Sequence, residues 1–419
     1  MTGTRAAAGR LLHDAVVPAL LVLILRRVLG DAFSQERFGI RFFGEGGIRI
    51  NDFASHLTFA KAFWLGKAGY DVESHLRITS QWAGRSVGIA LPFGYSPTML
   101  WILAPLCVLP TVWGFALWTL AGGIAAWWMS RPRWSLGAAA AVVSPVAVGC
   151  FALGQTALIT TAGLLMLMSR DLDDPGRTAA DRRAASVWRD AIVLWALTAK
   201  PPLALTGATA LLAGRRFRPL VLALGLTMLS TVVLTPALGI GWVREYAHLA
   251  THYERDTADP AFAWSFVPET MSNLRALLHV ALGMSDSAAS HWSSGLWLLV
   301  LAGIVATGLG RVLPVQASWG FAALAYLLLC PHVSWTEELL LVLILALVAR
   351  ATPPTAPAVR WAALGLILVS LYLLPGVLYL LPDVGGHLAA FRLPAVIATQ
   401  ALLVGLVWAQ WLSLPRRLR

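Results

Sequence analysis

Windows of about twenty apolar residues recur along the whole of this 419-residue chain, and they constrain its fold more than any motif does. At 1.5 Å per residue such a window matches the roughly 30 Å hydrocarbon thickness of a bilayer, where only helices and closed barrels satisfy every backbone polar group. With 58% of residues hydrophobic and only 13% charged, there is more apolar surface than a soluble core of this size needs. The expected fold class is an all-α polytopic membrane protein, with windows at 11–30, 96–129, 134–151, 156–168, 191–213, 220–238, 292–309, 315–330, 339–348, 361–381 and 394–412. Allowing for broken windows, that is roughly ten to twelve transmembrane helices in one domain, 1–419.

Charge sets the orientation. The net charge of +11 gathers in short loops, at Arg131 and Arg133, in 170–190, at Arg215, Arg216 and Arg218, and in the tail at Arg416, Arg417 and Arg419. Basic short loops stay cytoplasmic, which puts the two long polar stretches, 31–95 and 239–290, outside as larger extracytoplasmic loops. No basic run is interleaved with aromatics, so nucleic acid is not an expected partner; the partner is the lipid bilayer. Arg26 and Arg27 run against the charge trend. Cys107, Cys150 and Cys330 lie in or beside apolar runs at no metal-ligand spacing and read as small core residues. The N-terminal window resembles a signal peptide, but no small-residue cleavage site follows it, and an uncleaved first span is expected. The Ala-, Leu-, Arg- and Trp-rich composition suggests a bacterial inner (plasma) membrane.

Against this apolar background a few polar residues stand out. Asp52 opens the segment Phe53, Leu57, Ala60, Trp64, whose helical spacing predicts an amphipathic helix lying flat on the bilayer, with His56 and Lys61 between the apolar positions. Lys200-Pro201-Pro202 interrupts an apolar stretch flanked by arginines on both sides, which predicts a hairpin with the lysine at its tip. On the predicted topology Asp52, Tyr95, Gln155, Lys200, Trp242 and the turn Cys330 to Glu338 all fall on the extracytoplasmic face. Ionisable groups are costly at a membrane, so one outward-facing site is expected. Each residue has a plainer reading too. Asn51 or Asp52 caps the helix; Lys200 snorkels to the interface; Tyr95, Trp242 and Trp335 anchor the interface; Gln155 bonds a neighbouring helix; Glu337 and Glu338 form a solvated face.

The order of these residues resembles glycosyltransferase family 87 of the GT-C superfamily. The resemblance covers most of the chain: Asn51-Asp52-Phe53 before a helix, Gly69-Tyr70-Asp71, Tyr95-Ser96-Pro97, Pro105, Leu109-Pro110, Gly154-Gln155, Lys200-Pro201-Pro202, Gly241-Trp242, and Pro331 to Glu338 before a late span. That family usually carries Tyr-Pro-Pro and often Lys-Pro-Gln, so Ser96 and Pro202 depart from it. Glu337 and Glu338 stand where some of its mannosyltransferases have His after the Trp.

The resemblance implies a GT-C-type helical bundle that transfers a hexosyl, for instance mannosyl, or pentosyl residue from a polyprenyl-phosphate sugar donor. The acceptor would be a hydroxyl of a lipid or cell-envelope glycan. A sugar on a lipid phosphate already has a good leaving group, so one base for the incoming hydroxyl and one cation for the phosphate suffice. Asp52 is the candidate base in a single, inverting displacement. Lys200 is the candidate phosphate contact, helped by His332 or Arg85, with Tyr95 and Gln155 beside the donor. Trp242, Trp335, Glu337 and His56 are candidates for holding sugar or acceptor. No cofactor is required, and no carboxylate cluster demands a metal, although folding could bring Asp52 to Glu337. The other class is a membrane transporter or lipid flippase, against which the chain lacks the matched broken helices of an internal repeat.

Overall fold

Proline, glycine and short capping side chains decide where this apolar chain stops being helical. The computed structural model describes residues 11–35, 40–43, 47–67, 69–84, 93–131, 136–172, 184–252, 271, 273–331, 333, 335–351, 357–373 and 405. Helix α1 (Val17–Phe33) follows a π-type turn, and Arg27 pairs with Asp31 one turn on at 3.3 Å. A small antiparallel hairpin, β1 (Ile40–Phe43) with β2 (Gly47–Ile50), then leads into α2 (Asp52–Trp64). Helices α3 (Val72–Ala83), α4 (Pro97–Cys107) and α5 (Thr111–Met129) complete the first third. Pro110 ends the 96–129 window's first piece, so it folds as a short helix followed by a long one.

The windows at 134–151 and 156–168 are more broken than their hydropathy suggests. The described part of the first is two short helices, α6 (Leu136–Ala141) and α7 (Pro145–Leu153), split where the Ser144 hydroxyl caps Ala147 and Pro145 takes the first helical position. Between α7 and α8 (Ala157–Leu172) the chain turns by 116°. Helices α9 (Ala184–Leu197) and α10 (Pro201–Ala213) form the expected hairpin about Lys200. A Cβ on Gly207 of α10 would touch Leu194 of α9 at 3.4 Å, and at the far end Arg216 reaches back to Asp190. Then come α11 (Phe217–Leu238), α12 (Trp242–His252), α13 (Asp286–Leu309), α14 (Val315–Leu329), a 3-10 helix at Trp335–Leu340, α15 (Leu341–Ala351) and α16 (Pro357–Leu368).

Among the described residues, α5, α11 and α13 are long and apolar enough to cross a membrane, and the bent pair α7 and α8 makes a fourth if counted as one broken span. Helices α4, α10 and α14 are apolar but shorter, and the 394–412 window lies outside the described residues apart from 405. Helix α11 turns Val221, Leu224, Met228, Leu229 and Val232 outward, each more than half exposed, a face suited to hydrocarbon rather than water. Inside, helices approach through small residues: Gly308 of α13 lies so close to Ala213 of α10 that a Cβ would stand 2.5 Å from its neighbour's.

The buried residues form two main clusters. One gathers α7 to α10 with α13 to α15; the other gathers α2 and α4 around Phe53, Leu57, Phe63, Leu103, Phe115 and Trp118. Helix α2 belongs to the second and is not laid flat on a surface. Phe53, Ala54, Leu57, Phe59, Ala60 and Phe63 are all buried, because Ala54, Phe59 and Phe63 widen its apolar stripe to most of the circumference. The two polar-faced helices of the long loops are instead α3 and α12.

Candidate active site

Asn51 and Asp52 share the start of α2, and the structure divides their duties. Asn51 is the cap: its Oδ1 accepts the Ala54 N–H at 3.0 Å, and its Nδ2 donates to the Ala152 carbonyl at 2.8 Å, fastening the helix start to the end of α7. Asp52, the first helical residue, is thereby left for other work. Its Oδ2 accepts a hydrogen bond from Gln155 Nε2, and Oδ1 has no partner among the described residues. Burial raises the Asp52 carboxyl to about 6, against the Gln155 hydrogen bond and the charge of Lys200, which both pull it down.

Gln155 reaches Asp52 because of the corner it sits in. Gly154 ends α7 in the left-handed conformation (φ +68°), the Gln155 N–H bonds back to the Cys150 carbonyl at 2.9 Å, and the Trp118 indole holds the Gly154 carbonyl at 3.0 Å. A Cβ on Gly154 would stand 2.4 Å from that of Phe53, so only glycine lets α2 and this corner touch.

Lys200 comes to Asp52 from the tip of the α9–α10 hairpin. The extended residues before α4 are bolted to the hairpin tip: the Ser96 N–H donates to the Ala199 carbonyl at 3.0 Å, the Ser96 hydroxyl to the Thr198 carbonyl at 2.6 Å, and Thr98 and Thr198 share a hydroxyl contact at 2.9 Å. The Lys200 ammonium pairs with Glu337 Oε1 from the 3-10 helix. That helix is placed by Cys150, whose thiol donates to the Thr336 carbonyl at 3.7 Å, and by the turn before it. Asn273 donates to the Cys330 carbonyl at 2.9 Å, and the fully buried Arg275 grips both Asp286 oxygens at 2.9 and 2.7 Å while reaching the Pro331 carbonyl. The second long loop therefore holds the turn that delivers Glu337.

His56 lies one helical turn beyond Asp52 on the same face. Its ring meets Tyr95 edge-on at 4.8 Å, and its Nδ1 is buried without a partner among the described residues. Burial, and then Lys200, push its basicity down to about 3, so it is neutral at ordinary pH. Tyr95 is fixed at both ends, its hydroxyl 3.4 Å from that of Thr156 and its carbonyl accepting from Tyr70. From His56 an aromatic row runs through Tyr95, Phe93 and Tyr70 to Trp242 and Tyr246.

Asp52, Gln155, Lys200, Tyr95, His56 and Glu337 are thus linked to one another near where the two buried clusters meet. Trp242 is brought near but is spoken for. It is 6% exposed, its indole N–H donates to Thr235, and it joins the second loop to Tyr70 of the first. Arg85 and His332 lie outside the described residues, as does the side chain of Trp335, whose backbone opens the 3-10 helix. Sequence reasoning missed Arg275 as a supporting residue, although a lone arginine in the apolar run Leu274 to Leu278 was a usable signal. Glu337 and Asp52 are related through Lys200, which is paired to the first and felt by the second. Among the described residues no three His, Cys, Asp or Glu side chains are grouped so that they could hold a metal ion.

Comparison with protein-family models, with curated proteins and with solved structures finds no match for this chain.

Proposed function

We propose that this chain is a membrane glycosyltransferase of GT-C type, akin to family 87. It moves a hexosyl or pentosyl residue from a polyprenyl-phosphate sugar to a hydroxyl of a lipid or cell-envelope glycan. In this reading roughly ten to twelve helices cross a bacterial inner membrane, and the site opens on the extracytoplasmic face. The observation that carries it is the setting of Asp52: relieved of capping by Asn51, oriented by Gln155, and lifted by burial to about 6. Such a carboxylate is ionised at neutral pH yet more basic than a surface one, as a general base should be.

The reaction is then a single displacement. Asp52 Oδ1 takes the acceptor hydroxyl's proton as its oxygen attacks C1 of the sugar; the bond from C1 to the phosphate oxygen breaks, and the phosphate leaves with that electron pair and inverts the anomeric centre. Lys200 meets the charge that gathers on the departing phosphate.

The test is transfer of labelled sugar from a panel of polyprenyl-phosphate sugars by purified protein in lipid, with crude envelope as acceptor, comparing wild type with Asp52→Asn. Transfer by wild type alone supports the reading and names the sugar. Equal results for the two proteins with every donor would sink it and turn attention to lipid transport across sealed vesicles.

A further inference from the structure

Lys200 reaches the site already matched with an anion, Glu337 Oε1. The carboxylate is the more deeply buried partner, 3% exposed against 21% for the lysine. A cation that is to receive a phosphate need not be matched in this way unless the carboxylate positions it or occupies its binding site.

The backbone argues against a positioning role. The Lys200 N–H donates to the Leu197 carbonyl at 2.9 Å, its own carbonyl accepts from Leu203 at 3.0 Å and Ala204 at 3.3 Å, and Ser96 clamps the two residues before it. The lysine is therefore rooted without help from Glu337. Glu337, by contrast, rides on a single 3-10 segment, a form with weaker hydrogen-bond geometry than an α-helix. The other groups around the pair are the Asp52 carboxylate and neutral His56 on α2, the Cys150 thiol on α7 and, beside Asp52, the Tyr95 hydroxyl. The Asp52 carboxylate is a further negative charge felt by Lys200, so a phosphate arriving on top of an intact pair would meet net negative charge.

We propose that Glu337 is a built-in occupant of the phosphate site, its carboxylate holding Lys200 until the phosphate group of a polyprenyl-phosphate lipid takes its place. The proposal rests on the donor reading above and adds its regulation: one anion is exchanged for another on the same lysine, and the lysine is never left uncompensated.

The test uses the full chain in lipid nanodiscs, titrated with decaprenyl monophosphate in one arm and inorganic phosphate in the other. Glu337→Gln removes the competing charge and is expected to bind the lipid phosphate about tenfold tighter than wild type, or more. Glu337→Asp keeps the charge with a shorter reach and should fall between the two. Lys200→Gln should lose the gain in either background. A gain in both arms assigns the exchange to the phosphate group itself; a gain with the lipid alone adds the prenyl chain as a requirement. The proposal is overturned if wild type binds decaprenyl monophosphate while both Glu337 variants bind no tighter, for Glu337 would then be holding Lys200 in place. If folded wild type and Glu337→Gln, checked by thermal melting, both fail to bind it, the donor reading falls and takes this proposal with it.

Discussion

Gly154 and Phe53 meet with no room for a side chain between them: a Cβ on the glycine would lie 2.4 Å from the Cβ of the phenylalanine. This contact sets how near the start of α2 comes to the corner between α7 and α8, and so how Gln155 reaches Asp52.

Gly154→Ala should therefore be severe. The left-handed conformation costs a residue with a Cβ about 1–2 kcal/mol, and overpacking adds about 1–3 kcal/mol. The expected outcome is a sharply lowered melting temperature in detergent. Any protein that folds should show weakened transfer, because the Gln155 to Asp52 bond is displaced.

Asp52 ties stability to activity in opposite directions. Its folded pKa of about 6 lies above the 3.8 of an ordinary aspartate, so the native state holds the proton more tightly than the unfolded chain does. That contribution is full below the unfolded value and lost as pH rises through about 6. At pH 7.5 the ionised carboxyl costs up to about 3 kcal/mol. Asp52→Asn is expected to melt higher than wild type at pH 7.5, with the difference shrinking toward pH 4, while transfer is abolished. Wild-type transfer should rise with pH through about 6; a rate flat across that range would remove Asp52 as the base.

Ser96 donates twice to the hairpin tip. Proline would keep the extended backbone but lose both donors, leaving the Thr198 and Ala199 carbonyls without them. Ser96→Ala should cost about 1 kcal/mol and Ser96→Pro more. In a transfer assay the proline variant should lose more in KM for the donor than in kcat, since it loosens the base of Lys200.

Arg275 and Asp286 form a buried pair that fixes the turn before Glu337. Removing the arginine alone strands a largely buried carboxylate, at about 3–5 kcal/mol. Arg275→Met combined with Asp286→Asn should recover much of the stability, with a coupling energy above about 1.5 kcal/mol in a double-mutant cycle. Additive losses would show that the pair contributes little.

The site was legible in the sequence because its members are polar residues in apolar surroundings, and such residues need partners wherever they lie. Asp52, Gln155, Lys200, His56, Tyr95 and Glu337 stand out in this way, and the structure brings them near one another. What was not legible is who pairs with whom. Asn51 and Asp52 are both good caps, and only the geometry at the end of α7 separates them. The pairing of Lys200 with Glu337 joins distant segments through the packing of α7, α8 and the 3-10 helix, which no local spacing encodes. The fold was read less well where hydropathy hides breaks: 134–151 looks like one span because alanine and valine continue across Ser144-Pro145. Helix α2 reads as amphipathic on Phe53, Leu57, Ala60 and Trp64 alone, while Ala54, Phe59 and Phe63 extend the buried face.

At the end of the hairpin opposite Lys200, Asp190 is completely buried and paired with Arg170, Arg189 and Arg216, and Arg216 also binds Asp171, which the Trp319 indole holds at 2.7 Å. Mechanically, α9 and α10 are a beam supported at both ends: clamped by charge at the root and pinned by Ser96 and Thr98 at the tip, where Lys200 sits about 20 Å away, the length of a thirteen-residue helix. A beam held this way does not slide. With the backbone held at both ends, any response of Lys200 to a ligand would be a movement of its own side chain.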